Sequence, residues 1–162
     1  MTAGQDHPTD MSADGTLADG VHRLPIRVYF EDTDATGVVY HANYLRFFER
    51  GRSDMTRMAG IDHRVLKDGT GESIVFAVAG CTLKFRAPAL LDDRLQVCTR
   101  VGKVGGASVD MHQWIERRET RLAEAEIRVA MIDQELRPAR FPNEMRQILQ
   151  TLCQKANEQA AL

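Results

Sequence analysis

The pattern of hydrophobic and polar residues changes character near the start of this chain. Residues 1–22 hold almost nothing to bury and are rich in Asp, Gly, Thr and Ala, which predicts a flexible N-terminal tail. A short β-rich run follows at Leu24–Phe30 and leads into an acidic, turn-like loop, Glu31–Gly37. We therefore expect one folded domain over residues 23–155 and a C-terminal tail over residues 156–162.

A long helix is predicted from Ala42 to Ala59. Its apolar positions step by four and three and therefore share one face, with a glycine in the middle of that face. Gly60 is well placed to end the helix, because glycine readily adopts the left-handed conformation that closes a helix. The residues of the predicted face are Tyr44, Phe48, Gly51, Met55 and Met58.

After the helix, apolar and polar residues alternate as they do in strands. The last of these segments contains helix formers, but its alternation and its position after a tight turn favour a strand. Gly105 and Gly106 mark a hairpin turn, and a short amphipathic helix is predicted around Met145–Leu152. The four predicted strands lie within Ser73–Arg86, Leu95–Val101, Val109–Ile115 and Leu122–Ile132.

The predicted order is strand, long helix, four strands in a meander, short helix. A mostly antiparallel, five-stranded sheet with one long helix is an α+β layer architecture. The small Gly51 would let the helix approach the sheet closely, and a sheet wrapped around a central helix is one solution. Periodicity alone does not distinguish that arrangement from other two-layer packings.

Composition narrows the classes of function. The net charge of -2 and the pI near 6.2 argue against a general polyanion binder. The three cysteines are widely spaced and form no Cys-x-x-Cys pair, which predicts reduced thiols, and the histidines show no metal-ligand spacing. Without a signal-like or membrane-spanning segment, a cytoplasmic location is expected. The sequence contains no phosphate-binding loop, nucleophile elbow or RNA-binding motif, which argues against an NTPase, an α/β-hydrolase and a nucleic-acid binder.

Asp32, Asp34 and Gly37 have the spacing of the first half of a calcium-binding loop. Thr36 and Asn43 stand where further ligands belong, and the preceding segment is predicted as a strand instead of a helix, so a calcium site is disfavoured. Taken alone, the loop is more typical of a solvated turn, because Asp and Gly commonly build turns.

The helix that follows gives this loop a second interpretation. Asp34 lies shortly before His41, where the helix is predicted to begin. The unpaired N–H groups and the positive dipole end of a helix start can hold a carbonyl oxygen that gains negative charge. A carboxylate nearby could attack that carbonyl or deprotonate a water that does.

The segment Arg27–Arg50, RVYFEDTDATGVVYHANYLRFFER, resembles the signature of the 4-hydroxybenzoyl-CoA thioesterase-like hotdog family. Its closest likeness is to the YbgC-type branch, the acyl-CoA thioesterases associated with the Tol–Pal system. The resemblance extends from Ile26 to Pro142 and includes Phe85–Pro88. It implies the hotdog fold, a sheet wrapped around the central helix, and hydrolysis of an acyl-CoA to free acid and CoA without a metal or redox cofactor.

The resemblance also implies roles for individual residues. Asp34 matches the family's catalytic carboxylate, a nucleophile or general base, and the backbone N–H at His41 matches the group that polarises the thioester carbonyl. The side chain of His41 matches an active-site histidine. Tyr40 and Asn43 are expected at the substrate, although Asn43 also suits a structural role. Candidates for binding the phosphates of CoA are Lys84, Arg86 and Arg140.

Family members are homodimers or tetramers with active sites between protomers, so self-association is expected here. An acyl carrier protein and an inner-membrane-associated protein are further candidate partners. The protein is therefore expected in the cytoplasm, with a peripheral location at the inner membrane as a further option. Glu49 is an alternative catalytic carboxylate, but its neighbouring arginines favour an ion pair. Phe30 stands where many YbgC-type proteins have Tyr, which leaves the acyl preference open.

Two alternative functions remain. The first is an acyl-thioester-binding scaffold protein of the bacterial cell envelope, with the same fold and little activity. The second is a hotdog hydratase, which usually pairs a carboxylate with a histidine in a motif that this sequence lacks.

Overall fold

The computed structural model describes residues 14–64 and 66–162. They form one antiparallel sheet of six strands in the order β1-β2-β4-β5-β6-β3, with two long helices. The helices are α1 (Asn43–Met58) and α2 (Asn143–Ala160), and a short 3-10 helix spans Phe30–Asp32. The strands are β1 (Thr16–Ala18), β2 (Val21–Arg27), β3 (Val75–Phe85), β4 (Arg94–Val104), β5 (Ser108–Arg117) and β6 (Thr120–Ile132).

Helix α1 lies directly on the sheet at Gly51. A Cβ atom at this position would be 2.8 Å from Val97 Cγ1 and 3.1 Å from Thr99 Oγ1, so only glycine allows the approach. Phe47 and Phe48, about one turn earlier in the helix, are fully buried. The predicted role of Gly51 is confirmed, and Gly60 ends the helix with a φ of +91° as its position suggested.

The predicted four-strand meander is wrong for β3. Strands β4, β5 and β6 follow one another in the sheet, but β3 pairs with β6 at the far edge and not with β4. The turns between the later strands are short, and Arg118 and Glu119 adopt positive φ between β5 and β6. The connection 86–93 is longer and contains Pro88, so it carries the chain from one edge of the sheet toward the other.

The N-terminal boundary at residue 22 is also wrong, and the sheet has six strands instead of five. Residues 16–18 and 21–27 are strands, while residues 1–13 of the predicted tail lie outside the described residues. Tertiary contacts fix this hairpin to α1. Asp54 accepts hydrogen bonds from the Gly15 amide at 3.0 Å and pairs with His22 Nε2 at 2.7 Å.

The C-terminal helix is 18 residues long and extends past the boundary predicted at residue 155. Its buried stripe continues from Leu152 to Ala156, beyond the apolar residues that marked the predicted helix. Gly20, with a φ of +73°, fits against the backbone of Ala156, where a Cβ atom would clash at 2.3 Å. Among the described residues, neither helix is long and apolar enough to cross a membrane.

Candidate active site

The acidic loop is a small hairpin in front of α1. Thr33 pairs with Val39, and the Asp34 amide donates to the Val38 carbonyl at 2.9 Å. Gly37 closes the turn with a φ of +79° and donates its amide to the Asp34 carbonyl at 3.0 Å. A non-glycine residue rarely adopts this φ, so the glycine fixes the turn that presents Asp34.

The two aspartates of the loop have different environments. Asp32 is 5% exposed, and its Oδ2 accepts the Tyr29 amide at 2.8 Å, so its carboxylate belongs to the structure of the loop. Asp34 is exposed, and its Oδ1 accepts both the hydroxyl of Thr36 at 2.6 Å and the amide of Thr36 at 2.8 Å. The other oxygen, Asp34 Oδ2, has no hydrogen-bond partner among the described residues. One carboxylate is therefore structural and the other is available for chemistry.

Hydrogen bonds favour the ionised form of Asp34. The hydroxyl and then the amide of Thr36 hold the pKa of Asp34 below its usual value of 3.8, and the charge of nearby His41 acts in the same direction. No group of three or more potential metal ligands occurs among the described residues. With Asp32 turned into the loop, the two carboxylates do not converge as calcium ligands would.

The loop is tied to the start of α1 through one carbonyl. The Asp32 carbonyl accepts the Tyr40 amide at 2.8 Å and Nδ2 of Asn43 at 3.0 Å. Asn43 is 7% exposed and therefore anchors the loop, while its expected contact with substrate stays a prediction. The N-cap residue Ala42 makes no side-chain cap, and the His41 amide donates to none of the described acceptors. The helix start thus retains free donors.

His41 and Tyr40 are exposed beside this helix start, with ring centroids 4.5 Å apart. Tyr44, one turn further, is buried, and its hydroxyl accepts the Ala89 amide at 3.0 Å. Since Ala89 also accepts the Val39 amide at 2.8 Å, the same short segment supports both the hairpin and the helix. The structure therefore brings Asp34, Tyr40 and His41 together on a surface that the hydrogen bonds of the Ala89 segment hold in place.

The expected phosphate-binding residues divide into two groups. Lys84 and Arg86 are exposed at the end of β3 that leads into the Ala89 segment, and Arg86 forms an ion pair with Glu124. Arg140 is exposed beyond the opposite end of β6, where Ala139 bonds to Met131. In one chain, therefore, Lys84 and Arg86 lie on the Asp34 side and Arg140 does not.

A cavity of about 270 Å³ lies between α1 and β3. One wall consists of apolar residues from β3, β5, β6 and the loop after α1, and the other is the second half of α1. We call it the α1–β3 cavity. Sequence reasoning missed it, because strand and helix periodicity carries no signal for a gap between two elements. Its residues are Glu49, Arg52, Ser53, Thr56, His63, Leu66, Val75, Phe76, Ala77, Val78, Met111 and Val129.

Glu49 forms the expected ion pair, but on the wall of this cavity. Its carboxylate accepts from Arg52 at 2.7 Å and from Ser53 at 2.6 Å. Arg52 is almost completely buried and donates a second bond, at 2.9 Å, to the fully buried Gln113. Neither Asp34 nor His41 lines the cavity. Glu49 comes six residues after Asn43, the first residue of α1, which places it about 9 Å along the helix from its start at ~1.5 Å per residue.

Comparison with known proteins gives the family. Residues 28–149 match the model of the thioesterase-like superfamily. The chain is 37% identical over 131 residues to the acyl-CoA thioesterase YbgC of Haemophilus influenzae, covering 80% of this chain and 95% of that protein. It is 41% identical over 122 residues to the acyl-CoA thioester hydrolase YbgC of Escherichia coli O6:H1, covering 74% of this chain and 89% of the other.

Solved structures of other proteins share the fold of this chain. A probable thioesterase from Bartonella henselae superposes with a TM-score of 0.72 at 40% identity, over 75% of this chain and 99% of the other. The DHNA-CoA thioesterase of Staphylococcus aureus, with a TM-score of 0.76 but 19% identity, shows the shared fold only.

A six-stranded antiparallel sheet that packs against a long helix is the hotdog fold, which the solved structures share. The chain belongs to the thioesterase-like superfamily, and its near relatives are YbgC proteins. The predicted hotdog fold and the predicted class of enzyme, a thioester hydrolase, are confirmed.

Proposed function

We propose that this protein hydrolyses acyl-CoA thioesters to a free acid and CoA, with Asp34 as its catalytic carboxylate. The observation that carries the proposal is the free Oδ2 of Asp34 next to the uncapped start of α1. The YbgC proteins of Haemophilus influenzae and Escherichia coli, named as acyl-CoA thioesterases, support the choice of substrate class.

In the proposed reaction, the thioester carbonyl oxygen accepts the His41 amide, which stabilises the negative charge that develops there. Asp34 either attacks the carbonyl carbon or removes a proton from an attacking water. The C–S bond then breaks and CoA leaves as a thiolate that takes up a proton. When Asp34 is the nucleophile, this step leaves the acyl group on Asp34 as a mixed anhydride, which water hydrolyses to restore the carboxylate. Water supplies the hydroxyl of the acid, so the balance is one thioester and one water to one acid and one thiol.

Ionisation of Asp34 suits both routes, because nucleophile and general base are each needed as carboxylate. The bonds from Thr36 to Oδ1 favour that state and leave Oδ2 as the reacting oxygen. Lys84 and Arg86 at the near end of β3 are the proposed contacts for the CoA phosphates. The pairing of Arg86 with Glu124 requires that a phosphate compete with this carboxylate.

We further propose that a second copy of the chain completes the site. β3 has one edge without a partner strand among the described residues. Val78 and Phe85, 54% and 53% exposed, lie opposite the buried Val129 and Ala123 and so face the core side of the sheet. An unpaired edge with exposed apolar residues favours association.

Pairing of two β3 strands around a twofold axis would turn the two α1 helices antiparallel to each other. The helix start of one copy, with Asp34, would then approach the second half of α1 in the other copy. That half carries the α1–β3 cavity. This arrangement explains why the cavity and Asp34 are separate within one chain.

A thiol-release assay across acyl-CoA chain lengths tests the catalytic proposal. We expect turnover by the native protein and a loss of at least roughly a hundredfold in kcat for Asp34→Asn. Glu31→Gln is the matched control, because Glu31 is an exposed carboxylate of the same loop and should leave the rate unchanged. Equal rates for Asp34→Asn and native protein would reject Asp34, and binding of acyl-CoA without turnover would favour a scaffold protein.

A further inference from the structure

His63 separates the α1–β3 cavity from an open groove on the surface. It lines the cavity together with Thr56, Leu66 and Phe76. It also lines the groove, whose other residues belong to the end of α1 and the loop that follows. His63 is thus the residue that the cavity and the groove share, and we call its imidazole the partition between them.

Two contacts hold the imidazole in this place. The Thr56 hydroxyl donates to the Arg52 carbonyl at 2.9 Å, so its lone pair accepts from His63 Nε2 at 2.5 Å. The imidazole also lies against the Phe76 ring, with centroids 5.3 Å apart. Because Thr56 is 3% exposed on a regular helix, the hydrogen bond fixes the partition to a rigid support.

The polar residues of the cavity are already paired with one another. Glu49 is bound to Arg52 and Ser53, and Thr56 is bound to His63. A guest that offers no hydrogen bonds can therefore enter without leaving a buried donor or acceptor unpaired. The apolar wall, which includes Phe76, Met111 and Val129, suits an aliphatic chain.

We infer that His63 is the stop that sets the maximum length of the aliphatic acyl group that this protein accepts. The inference rests on the proposed function, and it deepens it: the α1–β3 cavity takes the acyl chain, and the imidazole closes the cavity at its far end. A chain longer than the cavity must displace His63 from Thr56 and Phe76. Removal of the imidazole opens the cavity to the surface groove, so longer chains fit.

Binding of non-hydrolysable S-alkyl-CoA thioethers of increasing length, measured by calorimetry, tests this inference without catalysis. For the native protein we expect affinity to rise with length and then to fall at a limit. His63→Ala should move that limit to longer chains and strengthen binding of the first excluded chain by at least about tenfold, since each methylene in an apolar pocket is worth that much. His63→Gln, which keeps a hydrogen-bonding side chain, should keep the native limit.

Ser53→Leu changes the cavity in the opposite direction and does not touch the partition. Ser53 is half-buried on the helical wall, so a leucine there fills space and should move the limit to shorter chains. An unchanged limit in a folded His63→Ala protein would overturn the inference. If His63→Ala does not fold, an unchanged limit in Ser53→Leu would overturn it instead.

Parallel thiol-release assays separate this inference from the proposed function. A binding limit that moves with His63, without turnover of any thioester, would reject the thioesterase proposal and keep the role of the cavity. Turnover that continues unchanged to the longest chains, in native protein and His63→Ala alike, would keep the thioesterase and reject the stop.

Discussion

Thr36 donates two hydrogen bonds to a single oxygen of Asp34, one from its hydroxyl at 2.6 Å and one from its amide at 2.8 Å. The pair fixes the orientation of the carboxylate and leaves Oδ2 exposed beside the helix start. A residue two positions away thus lowers the pKa of the proposed catalytic group and fixes its direction.

The first prediction concerns this hydroxyl. Thr36→Val removes one of the two donors, so the pKa of Asp34 should rise toward its usual value of 3.8 and the carboxylate should lose its fixed orientation. We expect kcat to fall about tenfold with KM nearly unchanged, the effect of a less well positioned group. Thr36→Ser restores the hydroxyl and should restore both values. Steady-state kinetics and a carboxyl NMR titration measure them, and an unchanged kcat in Thr36→Val would contradict the role.

A second prediction separates the two aspartates of the loop. Asp32→Ala removes a buried carboxylate and leaves the Tyr29 amide without its acceptor, which should lower the free energy of unfolding by about 1–3 kcal/mol. Asp34→Ala removes an exposed carboxylate and should abolish turnover with little loss of stability. Urea unfolding and thiol release on the same two proteins make the comparison. Equal stability losses for the two variants would show that the division of roles is wrong.

The strongly periodic elements could be predicted from the sequence, and so could the loop that carries Asp34. The stripe through Phe48, Gly51 and Met55 gives α1 almost residue by residue, because burial against a sheet demands that spacing. The resemblance of the whole segment around Asp34 then gives it a chemical meaning that its turn-like composition lacks.

Features that depend on contacts distant in sequence could not be predicted. Strand β1 is three residues long and too short to show alternation; the hydrogen bonds of Gly15 and His22 to Asp54 hold the hairpin that it begins. On the wall of the α1–β3 cavity, Arg52 is bound to Gln113 across the core, a pairing that no local pattern signals. Tertiary context decided both features.

The third prediction follows from the buried pair of His22 and Asp54. Burial lowers the pKa of His22 below 6.5 despite the opposing effect of Asp54. With Nε2–H directed at Asp54, protonation would place an N–H at Nδ1, which has no partner among the described residues. The unfolded chain therefore binds a proton at higher pH than the folded one, and stability present above about pH 6.5 is lost as the pH falls through the folded pKa.

Urea unfolding between pH 7.5 and 5 tests whether the free energy of unfolding falls with pH as predicted. The contribution of one histidine has a slope of at most about 1.4 kcal/mol per pH unit, and His22→Phe should remove that part of the slope. The remainder comes from other groups, among them His63 and His112, whose pKa values burial also lowers. An identical slope in His22→Phe and native protein would show that His22 does not stay neutral in the fold.

The last prediction tests whether Asp34 and the α1–β3 cavity of one active site come from different chains. Asp34→Asn removes the carboxylate, and Ser53→Trp blocks the cavity from its half-buried helical wall. Each variant alone should be inactive toward thioesters whose acyl groups fill the cavity. In a mixed dimer, one site combines Asp34 of the Ser53→Trp chain with the open cavity of the Asp34→Asn chain. When equal amounts are mixed and allowed to exchange subunits, the mixture should therefore recover about a quarter of native activity, because half of the dimers are mixed and each has one intact site of two.

If each active site lay within a single chain, no combination would be intact and mixing would recover nothing. Native mass spectrometry of the mixture separates the mixed dimer from the two homodimers by mass, so an inactive mixture that contains heterodimers would reject the shared site.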